Sequence, residues 1–277
     1  MKKENLVKKL SELKLQLQEA QVIKKDFAYL NRFMCYASLP HSDTGELSYR
    51  RTIEFGAKTV QVYIHSEFGV PYGILPRRMM AFLLQQAVRN KTNVIHIGNN
   101  QTQFLNNMGV MASYGKRGYL KAVKEQAKRL LNSYISVRCD TEDSWEFSNS
   151  VFAEKGSILW HEDVKKPWSG EIHLSMPLFN DIIKNGVPIE MCAVKSIQSS
   201  LAFDIYLWLR WKLHHLKKDT YISWKQLFQQ FGFGYQDTPR GRLNFKKNFL
   251  EYLRRFYFLK DVAFLSDKNK ILFFAPK

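Results

Sequence analysis

The strongest constraint on this chain is an order of elements that occurs twice. In each half an apolar helix leads to a short strand, a short helix closed by glycine, a strongly cationic helix and then strand-like segments around a polar turn. The two closing glycines, Gly109 and Gly232, lie 123 positions apart, and the residues between the repeats hardly match. Repetition of pattern without repetition of letters implies two similar units in tandem, each with its own buried face.

The cationic helices carry the chemistry. In the first, Gly115 to Ser133, Leu120, Val123, Ala127, Leu130 and Leu131 share one face. At about 100° per residue, Arg117, Lys121, Lys124 and Lys128 crowd into a stripe roughly 60° wide beside it, with Lys116 just ahead. Glu125 is the only acid and lies next to the stripe, so the alternating i,i+4 pairs of an ordinary solvated helix are missing. In the second helix, Phe245, Phe249, Tyr252, Leu253 and Phe256 form the apolar side. Arg240, Asn244, Lys247, Asn248, Arg254 and Arg255 fall within about 120° on the other side, with Glu251 among them and Arg242 adding a further cation. Asn can grip the edge of adenine and Arg that of guanine, each pair worth about 1–3 kcal/mol of discrimination. Lysines hold phosphates. One lysine-rich face can serve solubility alone, but two at matching places in the repeat point to a polyanion.

Composition agrees with a folded, cationic protein. The 277 residues are 45% hydrophobic and 14% aromatic with a formal net charge of +17, unlike a disordered basic tail. Nucleic acid is the first candidate partner, ahead of an anionic membrane surface and acidic proteins. Cys35, Cys139 and Cys192 are scattered, odd in number and without metal-ligand spacing, which favours a reducing compartment. No apolar run reaches the length of a spanning helix, so a cytoplasmic protein with no membrane partner is expected.

Along the chain, Leu6, Leu10, Leu13 and Leu17 alternate four and three apart, two heptads that pair with a second copy in a homodimer or pack on their own chain. They belong to an expected N-terminal helical extension over 1–44. From Leu47 to His65 a period of two predicts a hairpin, and a core helix follows Pro76. Asn100 with Gln103, and Ser223 with Gln226, have the spacing of helix-opening caps. Met176 and Pro177 mark the boundary between a unit over 45–176 and a second over 177–277. Helix-turn-helix followed by a β ribbon predicts an α+β fold with two tandem winged-helix domains. Trp145, Trp160 and Trp168 are expected in the core or at the wing root.

YGILPR at Tyr72 to Arg77, GKRG with the L-x-x-Q-x-x-RL-like run after it, and FGFGYQDTPRGRLNFKKNFLEYLRRF near the end resemble the plasmid-encoded RepA-type, iteron-binding replication initiators. The resemblance covers about residues 45 to 277. It implies two winged-helix domains and a monomer that binds repeated origin sites in double-stranded DNA through both recognition helices. It also implies melting of adjacent A·T-rich DNA, recruitment of host replication proteins and, for dimers, repression of the protein's own promoter. The DNA-contact role transfers only to the exposed residues of the two cationic helices. The leucine helix lies outside the matched stretch.

Two other classes are possible on residues alone. A transcriptional repressor of the same fold shares every feature above except the resemblance. A rolling-circle nicking enzyme needs paired imidazoles on one strand face to hold a metal, and no two of His41, His65, His96, His161, His173, His214 and His215 are separated by a single residue. His161 with Glu162 and Asp163 would alternate across a strand and point apart. No phosphate-cradling Gly loop with Lys and Ser/Thr is present. A DNA-binding protein without catalytic residues, metal or cofactor is therefore expected.

Overall fold

Alternating apolar residues at Ile53 and at Val60, Val62 and Ile64 drive the hairpin of β2 (Ser48–Phe55) and β3 (Lys58–His65), in which Ile53 faces Val60 across the ladder. The computed structural model describes residues 26–36, 38–55, 58–110, 119–161, 168–256 and 263–274. The leucines from Leu6 to Leu17 and the cations Lys116 and Arg117 lie outside the described residues. Strands β5 (Tyr134–Asp140) and β6 (Trp145–Val151) extend the hairpin into an antiparallel sheet of order β2-β3-β5-β6. Strand β5 joins here because its Ile135 and Val137 continue the row of Ile64 and Val62.

The rest of the first half follows the repeat. Helix α2 (Ile74–Asn90) carries Pro76 in its first turn, and its buried residues include Met79, Met80, Phe82, Leu83 and Leu84. It leads to β4 (Val94–His96) and α3 (Gln101–Asn107), whose first turn is capped by the Asn100 side chain accepting from the Gln103 N–H. Gly109, at φ 71°, ends that turn where a Cβ would come within 2.6 Å of the Lys195 Cα. Then come α4 (Tyr119–Leu131), β7 (Ala153–Ile158) and β8 (Gly170–Leu174), the last two joining β4 in the order β4-β8-β7.

Helix α5 (Met176–Asn185) opens at the Ser175 cap with Pro177 in its first turn. It is followed by β9 (Val187–Glu190), α6 (Met191–Ser196), α7 (Ser200–His215) and β10 (Thr220–Ser223). Helix α8 (Trp224–Phe231) begins with the full reciprocal cap between Ser223 and Gln226. Helix α9 (Pro239–Arg255) is capped by Thr238, and β11 (Phe264–Ser266) and β12 (Lys270–Phe273) complete a sheet of order β10-β12-β11. In both three-stranded sheets the strand before the helix pair lies beside the last strand. The protein is thus mixed α+β, with one topology used twice.

Polar contacts tie the halves. Within the expected N-terminal extension, β1 (Phe27–Leu30) is a strand paired antiparallel with β9, and α1 (Phe33–Tyr36) follows it. Arg77 of α2, fully buried, donates from Nε and Nη2 to the two carboxylate oxygens of Asp204 in α7 at 2.7 and 2.8 Å. Its remaining donors reach Gly73, Leu39 and Pro40 carbonyls and Ser38. Arg78 fastens the end of α6 through the Val194, Lys195 and Ile197 carbonyls and holds Gly109 as well. Both arginines are therefore structural despite the cationic setting. Full pairing is what makes such burial tolerable.

Candidate nucleic-acid interface

Helix α4 packs by Leu120, Val123, Ala127 and Leu130, with Gln126 buried as well and accepting the Tyr72 N–H at 2.9 Å. That docking fixes the rotation of the helix and leaves Lys121, Lys124 and Lys128 exposed. Glu125 does not neutralise them. It accepts from Arg129 Nε at 3.0 Å, and the same guanidinium reaches Asp43 at 3.0 Å and the Val70 carbonyl at 3.2 Å while lying over the Tyr72 ring. The hydrogen bond from Arg129 holds the Asp43 carboxyl below its ordinary range. Lys128 sits 5.3 Å from the Phe68 ring centroid, whereas Lys121 and Lys124 have no ion pair among the described residues. A cleft of about 320 Å³ separates α4 from β7, lined by Lys124, Lys128 and Lys155.

Helix α9 repeats the arrangement. Phe245, Phe249 and Leu253 are buried, and Phe249 packs against Trp208, Trp224 and Phe231. Arg240, Asn244, Lys247 and Arg254 are exposed on the opposite side. They follow the spacing i, i+4, i+7 and i+14 and so line one ridge. Arg255 belongs to the same side but pairs with Glu251 one turn back. Asn248 is turned inward: its amide donates to the Tyr235 hydroxyl at 2.8 Å and it is half-buried. Arg242 projects from the packed side at the helix start, pairs with Asp237 and leans over Phe228. Among the candidates on α9, four are free to face a ligand and three are engaged within the chain.

Leu243 and Lys246 were not singled out by charge pattern. Leu243 is 66% exposed. A helical wheel places it beside Arg240 and Lys247, where an apolar side chain suits a thymine methyl. Lys246 bridges α9 to the last turn by donating to the Asp267 carbonyl at 2.7 Å and covering the Trp224 ring at 4.7 Å. Trp168 is buried and Trp160 half-buried against Phe104, in keeping with a place in or beside the core, but Trp145 is 59% exposed on a face of β6 that no described element covers. Glu162 and Asp163, considered with His161 as metal ligands, lie outside the described residues. Among the described residues no helix is long and apolar enough to cross a membrane.

Comparison with known proteins gives two findings. Residues 70–226 match the family model described as plasmid encoded RepA protein. A crystal structure of selenomethionine derivatives of domain 2 and domain 3 of RctB is similar with a TM-score of 0.58 at 11% identity, covering 89% of this chain and 97% of that one. A second crystal structure of RctB domains 2-3 gives 0.56 at 11% identity, with 88% and 96% covered. At this identity the likeness concerns the fold. No curated protein matches the chain.

Proposed function

Since the chain belongs to the plasmid-encoded RepA family, we infer that it is a replication initiator which binds repeated sites in double-stranded origin DNA through α4 and α9 together. One observation carries this: each half mounts an exposed, uncompensated cationic ridge on a helix whose other side is locked into the core. The groups are Lys121, Lys124 and Lys128 on one helix and Arg240, Asn244, Lys247 and Arg254 on the other. Lys116 and Arg117 belong to the first set by sequence.

The two units are proposed as winged-helix domains over 45–176 and 177–277, after the extension over 1–44. The repeated strand order and the likeness to a two-domain piece of RctB support that division. In a winged helix the second helix of the pair enters the major groove and the ribbon flanks it. Lysines then hold phosphates, and Arg240 and Asn244 have the chemistry to read bases. The reaction needs no bond-making step by this chain. Binding positions the protein, and in this reading opening of the DNA and recruitment of host replication proteins come after it.

The test is a competition between duplexes carrying the origin's direct repeats and shuffled duplexes of equal length. Arg240→Ala or Asn244→Ala should lower the preference for the repeats by about 1–3 kcal/mol per site. Equal losses on both duplexes would remove those residues from base reading.

A further inference from the structure

The turn over 267–270, which joins β11 to β12, is held from three directions. Asp267 braces it internally: its carboxylate accepts the Asn269 and Lys270 N–H groups, and those hydrogen bonds keep the carboxyl below its ordinary range. Trp224, the first residue of α8, holds it at two points, its backbone N–H donating to the Asn269 carbonyl at 3.0 Å and its ring Nε1 to the Asp267 carbonyl at 3.1 Å. Lys246 of α9 is the third anchor. Its ammonium donates to the Asp267 and Lys268 carbonyls at 2.7 and 3.3 Å and lies 4.7 Å from the Trp224 ring centroid, so the two outside anchors also touch each other.

The place of Lys246 on α9 gives this anchoring a consequence. Around the helix Lys246 stands about 100° from Lys247 and about 60° from Leu243, on the flank between the buried face and the exposed ridge. The turn therefore abuts the side of α9, with exposed Leu243 lying on the wheel between it and Arg240 and Lys247. Lys268 and Asn269 at the tip of the turn are exposed, and Lys268 has no ion pair among the described residues. Lys270 is occupied by the Tyr221 ring, 4.0 Å away. Lys246 differs from its neighbours on the helix: it is half-buried, and carbonyls of the turn engage its ammonium.

We propose that Lys246 is a positioning residue: it locks the turn over 267–270 to α9, so that Lys268 meets a phosphate of the duplex in fixed register with Arg240, Asn244 and Lys247, while Lys246 itself touches no DNA. A loose turn would have to be ordered at the moment of binding, and a turn already fixed to the helix avoids that loss of freedom. This inference rests on the reading of α9 as a DNA-binding helix and adds to it a second contacting element and the residue that aligns the two.

Duplex binding by the full chain, titrated across salt concentrations for Lys268→Gln, Lys246→Met and the double variant, tests it. Methionine keeps a flexible stem beside Trp224 and removes the ammonium. Loss of one phosphate contact makes the log–log slope shallower by about 0.9, about fivefold in affinity at 0.15 M salt when extrapolated from 1 M. Each single variant should show that loss, and the double variant should be no weaker than either, because both remove the same contact. An additive loss of about thirtyfold would make Lys246 a phosphate contact in its own right and overturn the proposal, as would wild-type binding by either single variant. Hydrogen exchange in the free protein gives a second readout: the Asn269 and Lys270 amides should exchange severalfold faster in Lys246→Met, with the Phe249 amide of α9 unchanged as the control for folding. Unchanged exchange in the turn overturns the proposal. Arg240→Ala, measured alongside, separates the two levels: if it weakens binding and the Lys268 set does not, this inference fails and the reading of α9 stands, whereas no effect from any of them overturns both.

Discussion

Replacing Lys121 and Lys124 by Gln removes two cations that are exposed and have no ion pair among the described residues, so the fold should be indifferent. Surface changes of this kind alter stability by about 0.5 kcal/mol or less. DNA binding should respond strongly. If each lysine neutralises one phosphate, the slope of log K against log salt becomes shallower by about 1.8, from a contribution of about −0.9 per contact. Extrapolated from 1 M, counterion release alone then makes binding at 0.15 M salt about thirtyfold weaker for the double variant. Fluorescence anisotropy on a labelled duplex, titrated across salt concentrations, measures both quantities, and the loss should be equal for cognate and shuffled DNA because phosphates carry no sequence. An unchanged slope in a protein that unfolds at the wild-type urea midpoint would refute the reasoning.

Three further outcomes follow from the interior. Arg77→Met leaves the Asp204 carboxylate buried without its cation and should cost about 3–5 kcal/mol in urea unfolding, much of it recovered by adding Asp204→Leu; a loss under about 1 kcal/mol would contradict the pairing. His41 stacks on Phe233, its Nδ1 lies 3.0 Å from Ser200 Oγ, and burial, with Arg77 and Arg51 opposing Asp204, depresses its pKa to about 4. The unfolded chain therefore binds this proton first. Stability should fall as pH drops from about 6.5 toward 4, by about 3 kcal/mol in total, and His41→Gln should remove that component of the pH profile. Asn248→Ala, which deletes the donor to Tyr235, should cost about 1 kcal/mol of stability and leave the preference for cognate DNA intact, unlike Asn244→Ala.

The repeated topology was legible because its signals are local: the Asn100 and Ser223 caps, the closing glycines and the two amphipathic helices all depend on near neighbours in sequence. The separation of Arg240, Asn244 and Lys247 from the apolar ridge is likewise a matter of helical period. Strand partners are not local. Tyr134 to Cys139 reads as a strand in the sequence and is one, yet its place beside β3 depends on matching Val137 to Val62 across seventy-five positions. Nor does a wheel separate a free polar side chain from one with an internal partner: Asn248 and Arg255 share the face of Asn244 but meet Tyr235 and Glu251. The same holds for Arg77 and Arg78, basic residues in a basic chain whose burial follows from α7, α6 and the carbonyls they collect.

Hydroxyl-radical footprinting of origin DNA, with the wild type and with variants of one helix at a time, tests the central claim most directly. Two protected patches on one duplex within each repeat are predicted, one lost in Lys121→Gln/Lys124→Gln and the other in Arg240→Ala/Lys247→Ala. A single patch that responds to only one of the two helices would contradict the account.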